Sequence, residues 1–248
     1  MVDWSRVRYL TVLAVVFAAG CSFPDTASRP PSEEKARLKA ASMIKASRGA
    51  LAPVYGPLAE HIADRLALED KTGIGIDVGS GPGTLIIELC GRTRLHWVNA
   101  DINPYSFAHF FTEAERRSFA HRVGAIQADV HDLPFRNNYA DVIVSRGSFH
   151  FWKDKVRAFG EIYRVLKPGA TAYVGRGFSE NLPVRTALEI RKKQGRGMKY
   201  DVEKTADELR MIMNKLAIEE YQIHRPRADL YETVNYGVWV EFRKSRLK

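Results

Sequence analysis

Residues 73–83 read Gly-Ile-Gly-Ile-Asp-Val-Gly-Ser-Gly-Pro-Gly, and residues 97–101 read Trp-Val-Asn-Ala-Asp. Ile74, Ile76 and Val78 alternate as a short buried strand, which a glycine cluster stops abruptly. Thr84 to Cys90 is apolar enough for a helix packed on a sheet. Glycine permits a tight strand-to-helix turn and lets a ligand approach bare backbone. A second strand, Leu95 to Ala100, ends in Asp101, about twenty residues beyond the glycines. A carboxylate at that place can accept both hydroxyls of a ribose. The combination reads as a nucleoside-cofactor site.

The glycine spacing discriminates between cofactors. A dinucleotide site uses G-x-G-x-x-G, because the pyrophosphate needs a third glycine and a free helix N-terminus. Here Gly79, Gly81 and Gly83 are spaced G-x-G-x-G, and Thr84 stands where the third dinucleotide glycine would be. Asp77, at the entry to the turn, would repel a pyrophosphate but attract a cationic amino acid. S-adenosylmethionine carries an ammonium and a sulfonium and no phosphate, so electrostatics favours the methyl donor.

Three further stretches follow in order: A-I-Q-A-D-V-H-D-L-P-F (125–135), Y-A-D-V-I-V-S-R-G-S-F-H-F-W (139–152) and E-I-Y-R-V-L-K-P-G-A-T-A-Y-V-G (161–175). With the glycine turn they resemble the class I S-adenosylmethionine-dependent methyltransferases over roughly residues 50–177. The closest likeness is to the small-molecule branch that includes quinone-biosynthesis C-methyltransferases. The resemblance implies a three-layer α/β sandwich around a Rossmann-like, seven-stranded, mostly parallel sheet with an antiparallel C-terminal hairpin. It sets Asp77, Gly79, Ser80, Gly81, Gly83, Asp101, Ile102, Asp129, Val130 and Ser145 against the donor. Within that set Asp129 would face the adenine amino group, with the Val130 backbone beside the ring.

Strands are expected at 74–78, 95–100, 124–128, 140–145 and 170–175, alternating with helical stretches, which argues for a parallel sheet. Glu33 to Arg48 reads as a polar, basic helix, broken by residues 50–57 and followed by a helix over Leu58 to Leu68. In the resembled family such N-terminal helices close over the cofactor, which makes Tyr55 a candidate lid residue. Phe151 to Leu166 carries an apolar stripe at helical spacing that belongs to the core. Helices are expected over Asn181 to Gln194 and Val202 to Leu216, then strands over Ala217 to His224 and Tyr236 to Arg243.

Methyl transfer is an in-line displacement, and alignment with exclusion of water can be worth on the order of 7–11 kcal/mol. The acceptor belongs near the carboxyl ends of strands one and four. Ser145, Arg146, Ser148, His150 and His131 would face it. His150 is the candidate base, since an unperturbed imidazole titrates at about 6.5, and Arg146 is a candidate clamp for an anionic acceptor. His131-Asp132 has no evident third metal ligand, and Ser145-Arg146 stands where metal-dependent catechol methyltransferases place a carboxylate. No metal is expected.

The chain has 248 residues, 45% of them hydrophobic, enough for one sizeable core with appendages. The net charge of +9 suits nucleic acid, an anionic membrane or an acidic substrate without choosing among them. The basic stretch 191–199 makes an RNA acceptor an alternative, but strand four lacks the Asp/Asn-Pro-Pro-aromatic motif of base-amino methyltransferases. Cys21 and Cys90 are the two cysteines, too few for a disulfide framework, a Cys-based zinc site or a thiolate-dependent arsenic methyltransferase. A non-catalytic protein that binds or senses the cofactor is the alternative from another class.

The N-terminus is a separate object. Arg6 and Arg8, an apolar run from Leu10 to Ala19 and then Ala-Gly-Cys21 form a bacterial signal pattern resembling a lipoprotein box. Ala18 stands where leucine is usual. The expected division is a signal or membrane anchor over 1–21, a Pro/Ser-rich tether over 22–32 and the methyltransferase domain over 33–248. An exported lipoprotein, an uncleaved anchor with the domain inside, or a cytosolic protein starting at Met43 are the three outcomes. The sequence sets no oligomeric state.

Overall fold

The computed structural model of the chain describes residues 33–193, 201–230 and 233–246. The expected signal, Cys21 and most of the basic 191–199 stretch lie outside them. Helices α1 (Glu33–Arg48) and α2 (Ala52–Arg65) precede an alternation of β1 (Ile74–Val78), α3 (Thr84–Cys90), β2 (His96–Asp101), α4 (Phe107–Arg116) and β3 (Val123–Gln127). Then come β4 (Ala140–Arg146), α5 (Lys155–Val165), β5 (Leu166–Gly177), α6 (Val184–Lys193), α7 (Val202–Lys215), β6 (Tyr221–His224) and β7 (Gly237–Arg243).

The strands form one sheet in the order β3-β2-β1-β4-β5-β7-β6. The first five run parallel, while β7 is antiparallel to both β5 and β6. This is the expected Rossmann-like sandwich with its C-terminal hairpin. One face packs Ile76, Ile143, Ala172 and Val174 against Phe159 and Ile162 of α5 and Leu209 and Ile212 of α7. The other packs Trp97, Val144, Tyr173 and Trp239 against Leu58, Ile62, Ile86 and Phe110. With both faces covered, strands read as nearly continuous apolar runs. The few polar side chains within them therefore stand out.

Several boundaries differ from expectation. Residues 52–57 are helix rather than a break: Pro53 occupies the first turn of α2, where no N–H is needed, and Pro57 lies inside the helix. Leu66 to Leu68 are not helical, and Ala67 closes α2 at φ +49°. Residues 149–151 form a 3-10 turn, after which Asp154 caps α5 by accepting from the Arg157 N–H at 3.0 Å. β5 begins four residues early, at Leu166, because it pairs with Ala140 before an irregularity absorbs the Pro168-Gly169 turn. Nothing in the sequence pattern announced α4, whose Phe110 fills the space beside Gly83.

No helix among the described residues is long and apolar enough to cross a membrane. Met43 lies within α1, so a chain beginning there would lack Glu33 to Ser42 of that helix.

Candidate functional site

The glycine turn is shaped by backbone that other residues adopt only with strain. Gly79, Gly81 and Gly83 take φ of +69°, +57° and +72°. The space a side chain would need is already filled: at Gly79 by Ser148, at Gly81 by the methyl of Met43 and at Gly83 by Phe110. Two of these fillers come from α1 and α4, so the turn is a junction of four elements.

Asp101, at the end of β2, accepts from the Gly81 N–H at 2.7 Å and from the Asn103 N–H at 2.8 Å. Each carboxylate oxygen accepts more than one hydrogen bond, so lone pairs remain for a ligand's hydroxyls. Burial pushes this carboxyl up from its ordinary value, against the two N–H groups and Lys39 of α1. Asn103 caps a short 3-10 turn by accepting from the Tyr105 N–H, and its Nδ2 donates to the Ala36 carbonyl at 2.8 Å, which ties α1 to this end of the sheet. Arg37 of α1 lies over the Tyr105 ring at 4.3 Å. Ile102 is 45% exposed beside Asp101, an apolar surface next to a polar one.

Asp77 is buried near the end of β1, and its Oδ2 accepts from the Ser80 hydroxyl at 2.8 Å. Its Oδ1 has no hydrogen-bond partner. Burial pushes its pKa up to about 7, against the Ser80 hydrogen bond, while Asp101 adds to the rise and Arg146 opposes it. Ser145 is fully buried and donates to the Val78 carbonyl at 2.7 Å, while Ser148 donates to the same carbonyl at 3.2 Å. These two serines clamp β4 to β1 beneath the turn.

Asp129 lies two residues beyond Gln127, which pairs with Asp101 in register. Its Oδ1 accepts from the His131 N–H at 2.9 Å and from His131 Nδ1 at 2.6 Å. Burial works against its charge, but those contacts and Arg157 outweigh it and hold the carboxyl below its ordinary value. His131 Nε2 accepts from the Asp154 N–H at 3.2 Å, so the Nδ1 proton points to Asp129. That ring is held between the Asp129 carboxylate and the Asp154 N–H. Val130 is buried. Glu161 and Arg164 of α5 hold the next residues, through the Leu133 N–H and the Leu133 and Phe135 carbonyls.

The loop after β4 carries Arg146, His150 and Phe151. His150 lies against Phe151, ring centroids 3.9 Å apart, and Phe151 is 69% exposed. Lys39 Nζ is 5.4 Å from the Phe151 ring. Arg146 donates to the Tyr55 hydroxyl at 3.5 Å and its guanidinium lies 5.1 Å from that ring's centre. The lid candidate and the clamp candidate thus meet. Sequence reasoning missed Met43, Lys39 and Asn99; only Asn99 left a signal, as the one amide inside a buried apolar strand.

Cys90 is buried, which pushes its thiol up to about 12 and leaves it unreactive. Arg191, first of the basic stretch, donates to the Asn235 carbonyl at 2.6 Å and lies over Phe178 at 4.3 Å, a structural use of its charge. An open cleft of about 940 Å³, lined by Asp64, Asp70, Arg92 and Arg122 among others, lies at the opposite ends of the strands from the glycine turn.

Residues 76–174 match the family model described as a methyltransferase domain. The sheet order, the glycine turn and this match make that segment a methyltransferase domain of the S-adenosylmethionine-dependent kind. The chain is similar to the chloroplastic 2-methyl-6-phytyl-1,4-hydroquinone methyltransferase of Arabidopsis thaliana, 34% identical over 39% of this chain and 28% of that protein. It is also similar to the demethylmenaquinone methyltransferase of Thermus thermophilus, 34% identical over 44% of this chain and 49% of that one. It therefore spans less than half the length of these relatives. A solved Methanococcus maripaludis structure, assigned to the S-adenosyl-L-methionine-dependent methyltransferases, matches with a TM-score of 0.74 and 29% identity, covering 86% of this chain and 94% of that one.

Proposed function

We propose that this chain transfers a methyl group from S-adenosylmethionine to a small, lipophilic acceptor. The observation that carries the reading is Asp101 Oδ2 on the Gly81 N–H, which sets a buried carboxylate against a glycine turn bare of side chains. The residues fit the donor. Asp101 keeps acceptor capacity for two ribose hydroxyls, Ile102 offers an apolar surface to a ring, and Asp77 Oδ1 is a buried acceptor awaiting a donor. When bound, the donor supplies a carbon already activated by its sulfonium.

The chain's own part is alignment and exclusion of water. α1 lies over the turn through Met43 and is tied there by Asn103, which supports a roofed site. His150 is proposed at the acceptor side, able to take a proton from an acceptor that arrives protonated. Exposed Phe151 beside it supports a lipophilic acceptor, as do the quinone substrates in the names of the two curated relatives. The basic start, short apolar run and Cys21 support attachment to a membrane through residues 1–21, with a cytoplasmic protein as the alternative.

Isothermal titration with S-adenosylmethionine, followed by an acceptor screen reading S-adenosylhomocysteine release, tests the proposal. Binding with turnover on a lipophilic hydroquinone is expected. Binding without turnover on any acceptor would favour a sensing protein, and turnover only on RNA would move the acceptor class.

A further inference from the structure

Two of the most exposed large apolar side chains among the described residues are Phe151, in the loop after β4, and Leu38 of α1, 66% exposed. Lys39 links them: it follows Leu38 in α1, and its Nζ reaches 5.4 Å from the Phe151 ring. α1 turns Ala36, Ala40 and Ser47 into the domain. At about 100° per residue, Leu38 then points away from it, in a stripe with Lys35, Ser42 and Lys45 at steps of three and four. All four are exposed. The outward stripe of a packed helix is ordinarily polar, so an outward leucine close to an outward phenylalanine asks what covers them.

The charge around them is mostly positive. Lys35, Lys39, Lys45 and Lys153 are exposed, and the lysines held in ion pairs among the described residues are Lys155 and Lys167, not these four. Of the two carboxylates on α1, Glu33 is paired with Arg37, which leaves Glu34. Asp154, next to Lys153, is engaged as the cap of α5. Apolar tips ringed by ammonium groups match an anionic bilayer, where the tips enter the acyl boundary and the ammonium groups sit among phosphates. A nucleic acid would use the charge but leave Leu38 in water. The sequence upstream adds an independent argument. The stretch that reads as an anchor ends at Cys21, and the eleven residues 22–32 span at most about 40 Å before Glu33. An anchored chain thus keeps α1 within reach of lipid. A single short anchor holds a membrane only marginally, and a basic patch supplies the second signal.

We propose that the outward face of α1, together with Phe151, docks on an anionic lipid bilayer. Leu38 and Phe151 enter the acyl boundary, and Lys35, Lys39, Lys45 and Lys153 contact the headgroup phosphates. This surface belongs to the folded domain and is separate from residues 1–21. Its consequence for catalysis rests on the acceptor reading above: the loop of His150 and Phe151 then lies at the lipid, so a lipophilic acceptor arrives from the bilayer without crossing water. The docking itself stands without that reading.

Full-length protein carrying Cys21→Ser and one new cysteine, at Leu38→Cys, Phe151→Cys or Met211→Cys, would be labelled with a polarity-sensitive fluorophore. Cys90 is buried and stays unlabelled, and Met211 of α7 is a comparably exposed control. With vesicles of phosphatidylcholine and phosphatidylglycerol, emission at positions 38 and 151 should shift to the blue, and emission at 211 should not. The shifts should fade in high salt. Lys35→Glu with Lys39→Glu should abolish them, even where the N-terminus keeps the protein on the vesicle. If that pair unfolds α1, Lys35→Gln with Lys39→Gln takes its place and should weaken them. No shift at 38 and 151, an equal shift at 211, equal shifts on phosphatidylcholine alone, or full shifts in the lysine variants would each overturn the proposal. So would shifts produced by single-stranded RNA and not by vesicles, which would make the patch a nucleic-acid surface. Calorimetry with S-adenosylmethionine on the same proteins keeps the readings apart. Donor binding without the shifts refutes the docking alone, and shifts without donor binding refute only the donor site.

Discussion

Asp101 Oδ2 and the Gly81 N–H, twenty residues apart in sequence, meet at 2.7 Å and join the end of β2 to the glycine turn after β1. One carboxylate thus shapes the turn and, on the proposed reading, offers acceptors to a ribose. Removing a charge-assisted contact costs roughly 1.5–3 kcal/mol. Asp101→Ala should therefore weaken S-adenosylmethionine binding about tenfold or more, read by calorimetry. Unchanged affinity in a folded variant would refute the ribose assignment.

Gly81 and Gly147 have similar positive φ, +57° and +72°, but only Gly81 faces a neighbour where a Cβ would stand. Gly81→Ala should therefore lower the melting temperature more than Gly147→Ala does. Met43→Ala combined with Gly81→Ala should recover part of the difference. Equal losses at both glycines would mean that the Met43 contact carries no weight.

Asp77 titrates at about 7 in the folded chain because it is buried, against an ordinary value of 3.8. The folded state holds this proton between those values, so the contribution of Asp77 to stability falls as pH rises from about 4 to about 7. Pairing with an ammonium requires the ionised form. Affinity for S-adenosylmethionine should therefore climb with pH up to about 7 with proton release, and Asp77→Asn should bind weakly and without that slope. Calorimetry in buffers of different ionisation enthalpy measures the proton.

His61 of α2 works with the opposite sign. Burial lowers its pKa, with Arg65 and His224 in the same direction and Glu180 against, and its Nε2 meets the Tyr173 hydroxyl at 3.2 Å. The unfolded chain then binds the extra proton first, so stability is full above about 6.5 and is lost as pH falls below it. His61→Gln should flatten that acid limb in thermal unfolding. A limb of unchanged depth would place the sensitivity elsewhere.

His150→Ala should slow turnover while leaving S-adenosylmethionine affinity nearly unchanged. With an acceptor that must be deprotonated, it should also abolish the acidic limb of the rate profile. Loss of donor binding in this variant would show that the loop serves the donor instead.

The first two strands and the turn were legible because glycine spacing and a terminal aspartate are local signals with a physical reason. β1 and α3 were placed to the residue. α2 was misjudged because two prolines read as a break, whereas a first-turn proline is helix-compatible and Pro57 is tolerated under tertiary packing. His131 read as facing the acceptor, and its hydrogen bonds to the Asp129 carboxylate and the Asp154 N–H depend on a turn geometry that spacing does not carry. The contact that seats α1 on the turn was hidden for the same reason: Met43 lies thirty-eight residues before Gly81 in a helix that reads as merely polar.

β7 lies between β5 and β6 although it comes last in the chain. During synthesis, the outer rim of β5 stays unpaired until residues 237–243 emerge, and Tyr173 waits for the Trp239 ring that stacks on it at 5.0 Å. An open strand rim invites pairing with another nascent chain. A ribosome paused just before Gly237 would thus hold a chain with an open seam along β5, and chaperone demand should be greatest until residues 237–243 have emerged.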